Sequence, residues 1–418
     1  MTTSREAQGG VLVVGGGFAG AYVARELGER GATIVSKENF MLYTPLLPEA
    51  ASGTLEPRHC VVPLRTMCRH AELILGGVTA LDLEAQTALV ETDDGPQSVA
   101  WRELVLALGA VPRTLPIPGL PEHGLSFKSL ADGINLRNHV LHQLEAADAA
   151  LDEEERERRL TFVFVGAGYA GVEALAELSD LTEDALRYYP RLQSARRRWV
   201  LVDAASRILP EIPPPLGDYA AAELRSRGVE IQVDTTLESV STDEAVLGNG
   251  TRIPTNTLVW TAGVAPNPVL REWELPLDEK GRVQVDELLR VLGHEHVWAL
   301  GDCARVPNAR SGRPDPPTCQ HALRQARRLA RNLVGPPEPY SYLMLGQVAT
   351  LGMHKGIAEV LGVRLRGFLG WWVTRTYHLY QVPTTQRKLR IIADWTVSLF
   401  FRRDIAELGQ LGHPEKLD

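Results

Sequence analysis

Two runs of the 418-residue chain carry glycines at a spacing that suits one chemistry. Val11-Leu-Val-Val-Gly-Gly-Gly-Phe-Ala-Gly20 sets four apolar residues ahead of Gly15, Gly17 and Gly20. Phe162-Val-Phe-Val-Gly-Ala-Gly-Tyr-Ala-Gly-Val-Glu173 repeats the layout with Gly166, Gly168 and Gly171. Each apolar, largely β-branched run reads as a buried strand, and each glycine has its own task. The first lets the chain turn sharply, the second lets a pyrophosphate approach the backbone, and the third lets helix and strand pack closely. The phosphates then meet the positive end of the helix. A single motif of this kind is also met in ordinary tight strand–helix turns. Two in one chain make a protein with two dinucleotide sites the economical reading, one for a flavin and one for a nicotinamide.

The elements that position these loops follow in order. Thr33-Ile-Val35 reads as the second strand of the first unit, where an Asp or Glu is expected to close the strand and bind ribose. The chain has Ser36 there, followed by Lys37 and Glu38; Glu38 reaching back and Glu38 as a solvated loop charge are both open. After the second motif, Trp199-Val-Leu-Val-Asp203 places Asp203 at the corresponding position. A carboxylate there accepts from ribose hydroxyls and repels a 2′-phosphate, which favours NADH over NADPH, with Arg207 as the competing influence. Ala131 to Leu151 has helical spacing, and the charge run Asp152 to Arg159 reads as a solvated helix end or loop. Leu73 to Val99 alternates apolar runs with turns, as a small antiparallel sheet would. Leu104 to Ala110 is a further buried strand, containing Ala107 and Gly109.

Composition bounds the answer. The length allows two or three domains, and 44% hydrophobic with 23% charged residues is ordinary for a globular chain. A net charge of −8 gives nucleic acid no footprint. Cys60, Cys68, Cys303 and Cys319 form no C-x-x-C pair and join no histidine cluster, so no metal is expected and a reduced, cytoplasmic compartment fits. The first ten residues lack a signal-peptide layout, and no run of 18 apolar residues marks a membrane span.

Asn39 to Arg65 contains Asn-Phe-Met-Leu-Tyr-Thr-Pro-Leu-Leu-Pro and reads as a structured loop with a short helix over a ligand. With the paired glycine motifs, Val297-Trp-Ala-Leu-Gly-Asp-Cys-Ala304 and Pro316-Pro-Thr-Cys-Gln-His-Ala-Leu-Arg-Gln-Ala326, the chain resembles the type II NADH:quinone oxidoreductase family. The resemblance runs over about residues 10 to 408. It implies an α/β fold: two Rossmann-like dinucleotide-binding domains, three-layered as in glutathione reductase, plus an α-rich membrane-docking C-terminal extension. The FAD domain would span 8–118 and 283–335, the NADH domain 119–282 and the extension 336–418. FAD would be held by Gly15, Gly17, Phe18, Ala19, Gly20, Ser36, Lys37, Thr44, Pro45, Leu46, Val78, Ala107, Gly109, Asp302, Gln320 and Lys355. NADH would be held by Gly166, Gly168, Tyr169, Ala170, Gly171, Glu173, Asp203, Ala262 and Gly263. Glu173 and Gln320 are the implied catalytic pair. Glu173 would sit beside the nicotinamide, unless it is only a charge in the helix's first turn, and Gln320 would sit at the quinone head group. In the family's quinone motif, Ala-Gln-x-Ala-x-Gln-Gln, this chain matches Gln320, Ala322 and Gln325 but has Cys319 and Arg324 at two other positions. Lys355 would lie near the flavin pyrimidine, unless it is merely exposed.

From Arg364 to Arg403 the chain carries eight basic residues and only Asp394 as an acid, interleaved with Phe368, Trp371, Trp372, Tyr377, Tyr380, Trp395, Phe400 and Phe401. Bases among aromatic rings suit an anionic membrane surface. A core cap and a homodimer interface compete with that reading. The family resemblance favours docking, with the enzyme peripheral on the cytoplasmic face and quinone, NADH and the membrane surface as partners. Two rival functions remain: a sulfide:quinone oxidoreductase-like or other thiol- or soluble-acceptor flavoprotein, and an NADH-sensing flavoprotein acting through a protein partner.

Overall fold

The computed structural model describes residues 3–408. The chain divides into two compact units. The first gathers residues up to 43, with 61–111 and 264–344; the second gathers 44–60, 112–263 and the residues from 345 on. The expected domain boundaries split the chain by cofactor, whereas the compact units place 44–60 and the C-terminal segment with the inserted region.

The first unit is built on a five-stranded parallel sheet in the order Val297–Ala299, Glu103–Leu106, Val11–Val14, Ala32–Ser36, Ala71–Leu75. Strands buried on both faces need continuous apolar runs, and Leu12, Val13, Leu104, Val105 and Leu106 are fully enclosed. The helix Phe18–Leu27 packs on the helix Cys319–Val334. The antiparallel sheet expected over Leu73 to Val99 forms from Gly77–Asp82, Thr87–Thr92 and Gly95–Ala100. Leu73 and Ile74 belong instead to the parallel sheet: both are buried, as on a strand covered on two faces, where an alternating strand would hide only one.

The second unit repeats the plan in the order Gly124–Ser126, Thr257–Trp260, Thr161–Val165, Arg198–Val202, Val229–Gln232, all parallel. Phe162 and Trp199 stack across neighbouring strands at 4.4 Å. In both units the strand before the glycine motif is central, with its two neighbours reached by connections running in opposite directions. That is the switch point at which such sheets open a ligand crevice beyond the strand ends.

The C-terminal segment is less helical at its start than expected. Gly346–Thr350, Gly356–Val360 and Val363–Arg366 form an antiparallel sheet before the helices Gly367–Gln381 and Thr385–Phe400. Its charge is also spent differently from the sequence count. Arg375 is buried in a bidentate pair with Glu49, 3.2 Å to each oxygen, and its guanidinium lies between the rings of Trp371 and Trp395, 4.4 and 4.6 Å from their centroids. Trp395 donates to Glu49 at 2.6 Å. Arg403 is buried between Glu177 and Asp184, 3.0 Å from each, and donates to Thr54 at 3.0 Å. Asp394 faces His59 at 2.6 Å. The net seven positive charges therefore overstate what faces solvent, because two arginines are neutralised inside the unit. Trp371 is 6% exposed and cannot insert into a bilayer. Trp372 and Phe400 remain 55% and 78% exposed. Among the described residues no helix is long and apolar enough to cross a membrane.

Candidate active site

The first glycine loop follows the central strand of the first unit. Gly15 has φ of +112°, and a Cβ there would stand 2.3 Å from the Ala107 carbonyl oxygen, so only glycine makes the turn. A Cβ on Gly20 would stand 1.9 Å from the Gly15 carbonyl oxygen, the close approach of helix to loop that the motif's last glycine permits. Gly17 has nothing within 4 Å of its Cβ direction. It is the N-cap of the helix Phe18–Leu27, which has no side-chain cap and no acidic residue in its first turn. The amide end of that helix, where Phe18, Ala19 and Gly20 lie, is thus left for an anion. Open space over the middle glycine, beside uncapped amides, fits a pyrophosphate.

Ser36 ends its strand buried, and a Cβ on Gly16 would stand 2.5 Å from its hydroxyl. That contact requires glycine at position 16 while Ser36 stands beside it. Lys37 and Glu38 are exposed, and Val78 is buried. Ala107 holds the Val14 carbonyl at 2.9 Å, and Gly109 takes φ of +65°. Asp302 lies in the turn Gly301–Cys303, which Gln325 fixes by accepting from the Gly301 amide at 2.8 Å. Thr44, Pro45 and Leu46 form a single turn in the second unit, with Leu46 buried.

The second loop is a near copy. Gly166 has φ of +113°, with the Ala262 amide nitrogen 2.5 Å from its Cβ position; Gly171 would meet the Gly166 oxygen at 1.9 Å; Gly168 faces open space. Tyr169 and Ala170 open a helix, Tyr169–Ala185, that again lacks a side-chain cap. Gly263 beside Ala262 has φ of +93° and open space. Asp203 closes the Arg198–Val202 strand, accepting from the Ala167 amide within the loop and from the Ala205 amide at 2.7 Å. Each of its carboxylate oxygens is thereby held by a backbone amide. Arg207 donates through Nη2 to the carbonyls of Pro210 and Ile212, the latter at 2.9 Å, and its Nη1 is buried without a hydrogen-bond partner.

Glu173 is the fifth residue of its helix, beyond the first turn, so it is not a dipole-stabilised surface charge. It is 8% exposed and accepts from the Thr350 amide at 2.9 Å. Burial holds its carboxyl up to about 8, with Glu177 and Glu49 adding to the shift and the Thr350 amide opposing it. At neutral pH it keeps its proton. Lys355 pairs with Glu223 at 2.8 Å within the second unit, so its ammonium already has a carboxylate partner.

Gln320 is the second residue of the helix Cys319–Val334, and its Oε1 accepts from the Tyr342 hydroxyl at 3.4 Å. Behind it lies a buried cluster that the sequence reading missed. Asp315 accepts from Asn308 at 2.8 Å, Gln325 at 3.1 Å and Tyr340 at 2.7 Å, with His321 Nε2 at 3.6 Å. Its members are scattered from 308 to 340, so no local spacing announces them; only Thr318, the N-cap of that helix, is a local signal. The cysteines are all free. Burial pushes the thiols of Cys60, Cys68 and Cys319 up to about 12 and that of Cys303 to about 11, so none offers a thiolate at neutral pH.

Two glycine cradles, each on the switch point of its own parallel sheet, define a two-dinucleotide oxidoreductase fold. Residues 9–326 match the pyridine nucleotide-disulphide oxidoreductase family, and the chain belongs to it. It is 31% identical over 388 residues to a probable NADH dehydrogenase of Dictyostelium discoideum, covering 90% of this chain and 85% of that one. It is 29% identical over 415 residues to a type II NADH:quinone oxidoreductase of Mycobacterium tuberculosis, covering 94% and 88%. The fold is similar to that of NDH2 from Plasmodium falciparum, solved in complex with NADH, with a TM-score of 0.89 at 16% identity over 97% of this chain and 100% of that one.

The Glu173 shift carries a sign. With its folded value raised above the unfolded one, the native state holds the extra proton, and the stability this contributes is complete below about pH 4.5 and lost as pH rises through about 8. Denaturant midpoints across that range should fall with pH in the wild type relative to Glu173→Gln. Parallel curves for the two proteins would mean that Glu173 ionises normally.

Proposed function

We propose that the protein oxidises NADH through FAD and reduces a quinone, without pumping protons. When bound, FAD accepts hydride and releases two electrons; the balance is NADH + H⁺ + quinone → NAD⁺ + quinol. The observation that carries this reading is the pair of open glycine cradles, each at an uncapped helix start. In this reading Gly15, Gly17, Phe18, Ala19 and Gly20 hold the FAD pyrophosphate, Asp302 takes its ribityl or phosphate end, and Ser36, Thr44, Pro45, Leu46, Val78, Ala107 and Gly109 complete its binding. Gly166, Gly168, Tyr169, Ala170 and Gly171 hold the NADH pyrophosphate, with Ala262 and Gly263 alongside. Asp203 reads the ribose hydroxyls, and two backbone carbonyls engage Nη2 of Arg207, the cation that would otherwise favour a 2′-phosphate. Glu173, protonated at neutral pH, positions the nicotinamide and can give or take a proton at its free carboxyl oxygen. Gln320 serves the quinone head group. The protonated thiols lend no support to a sulfide-linked reaction.

A quinone with a lipid tail is confined to a bilayer, so the enzyme must reach that surface. We place the enzyme on the cytoplasmic face, and the last two helices support peripheral docking. Phe368, Leu369, Trp372 and Tyr380 on one, and Leu389, Ile392, Val397, Leu399 and Phe400 on the other, are all exposed, beside the exposed Arg390 and Arg402. Apolar insertion then outweighs charge, since a basic residue near an anionic leaflet contributes only about 1 kcal/mol.

Gly17→Val should abolish flavin content, whereas Gly168→Val should retain flavin and slow its reduction by NADH; the reverse pattern would exchange the two sites. NADH should exceed NADPH in kcat/KM, and Asp203→Ala should narrow the gap. A wild-type preference for NADPH would contradict the assignment of Asp203. Liposome co-sedimentation should persist at high salt and drop for Phe400→Ser combined with Trp372→Ser. Indifference to every liposome would make this face a protein interface, such as a homodimer contact.

A further inference from the structure

A chain of buried hydrogen bonds in the first unit has its direction fixed at both ends by backbone. At one end the amides of Arg310 and Tyr342 donate to Asn308 Oδ1 at 3.0 and 3.1 Å. A backbone N–H only donates, so the Asn308 side chain has one orientation. Its NH2 turns to Asp315 Oδ1 at 2.8 Å and to the Tyr342 carbonyl at 2.9 Å. At the other end the Gly301 amide donates to Gln325 Oε1 at 2.8 Å, which turns the Gln325 NH2 to Asp315 Oδ2 at 3.1 Å. Donors therefore converge on both oxygens of residue 315. A carboxylate accepts on both, whereas an amide side chain of the same shape has one accepting atom. Tyr340 adds its hydroxyl to Oδ2 at 2.7 Å. His321 Nε2 stands 3.6 Å from Oδ1, with the other ring nitrogen 2.7 Å from the Thr318 hydroxyl.

The far end of this chain is the turn Gly301–Cys303, which carries Asp302. Gly301 has φ of +74°, and a Cβ there would stand 3.1 Å from the Ala19 methyl. Ala19 is the second residue of the uncapped helix at the first glycine cradle, so the turn lies against that helix start. Asp315 and Gln325 are themselves buried, with their polar atoms engaged by one another, by Asn308 and Tyr340 and by the Gly301 amide. A fully paired buried network holds one geometry, and a single mismatched member is costly.

Resting on the reading that the first cradle holds FAD, we propose that Asp315 is a positioning residue for the flavin. It orients the Gln325 amide, Gln325 fixes the Gly301 amide, and the turn so held presents Asp302 to the ribityl or phosphate end of the cofactor. Asp315 acts through these two links and touches no cofactor atom itself. The polarity of the chain gives the proposal a signature. Asp315→Asn keeps the shape but sets an NH2 against an NH2, at Asn308 or at Gln325. Gln325→Glu alone sets a carboxylate against a carboxylate. Made together, the two changes reverse one bond: the introduced amide donates to the introduced carboxylate, whose other oxygen still accepts from Gly301.

The test follows the flavin that stays on the holoprotein after transfer into FAD-free buffer. Asp315→Asn and Gln325→Glu should each speed FAD release about tenfold, the effect of one buried hydrogen bond lost. The double variant should release FAD at close to the wild-type rate. Asp302→Ala should speed release in the wild type but add little to Asp315→Asn, because both act through one turn. A merely structural role predicts a double variant worse than either single one, and independent effects of Asp302 and Asp315; either result would overturn the proposal. If Asp315→Asn purifies without flavin, loading should return in the double variant, and an empty double variant would overturn the proposal as well. Flavin retained by Gly17→Val would instead overturn the assignment of the first cradle to FAD.

Discussion

The structure depends on how closely a helix can approach the strand that precedes it. In each unit the last motif glycine would bring a Cβ to 1.9 Å from the carbonyl oxygen of the first, a contact no other residue survives. That approach sets the helix start directly over the end of a central parallel strand. The exposed amides then lie at the point where the sheet opens, and the second glycine keeps the space above them clear. Anion binding by backbone is a consequence of this packing and requires no charged side chain. The same constraint explains why Asp203 can accept from the Ala167 amide: the loop lies against the strand end, where the carboxylate emerges.

A second constraint is the cost of buried charge. In the second unit the short helix Leu47–Ala51 and the C-terminal segment are joined by Glu49–Arg375, with two indoles enclosing the cation. Arg403 serves Glu177 and Asp184 in the same way. Removing one partner of such a pair costs about 3–5 kcal/mol, because the other is left charged and dry. These pairs tie the segment containing Thr44, Pro45 and Leu46 to the C-terminal helices within one unit. Burial raises the nearby Glu173 carboxyl, and the carboxylates of Glu177 and Glu49 add to that shift.

The sequence was most readable where geometry is local. Glycine spacing, the apolar strands and the acid at Asp203 all act within one or two turns of chain, and each leaves a pattern. The Asp315 cluster and the Glu49–Arg375 pair leave none, since their partners are brought together only by the fold. The C-terminal segment shows the ambiguity most plainly. Alternating bases and aromatic rings were open to an interfacial surface, a core cap or a homodimer face, with docking favoured by the family resemblance. Trp371 and Trp395 enclose the Arg375 guanidinium inside the unit, whereas Trp372 and Phe400 are exposed. Ser36 was visible as a departure, but its place against the Gly16 backbone required coordinates.

The central claim is that electrons pass from NADH to flavin and from flavin to quinone in one polypeptide. Anaerobic double-mixing stopped flow on the purified holoprotein tests it directly, following the flavin absorbance band. One equivalent of NADH should bleach the bound FAD fully, and a quinone added in the second mix should restore the oxidised spectrum within the turnover time. A flavin that NADH leaves oxidised, or a reduced flavin that no quinone reoxidises, would contradict the account.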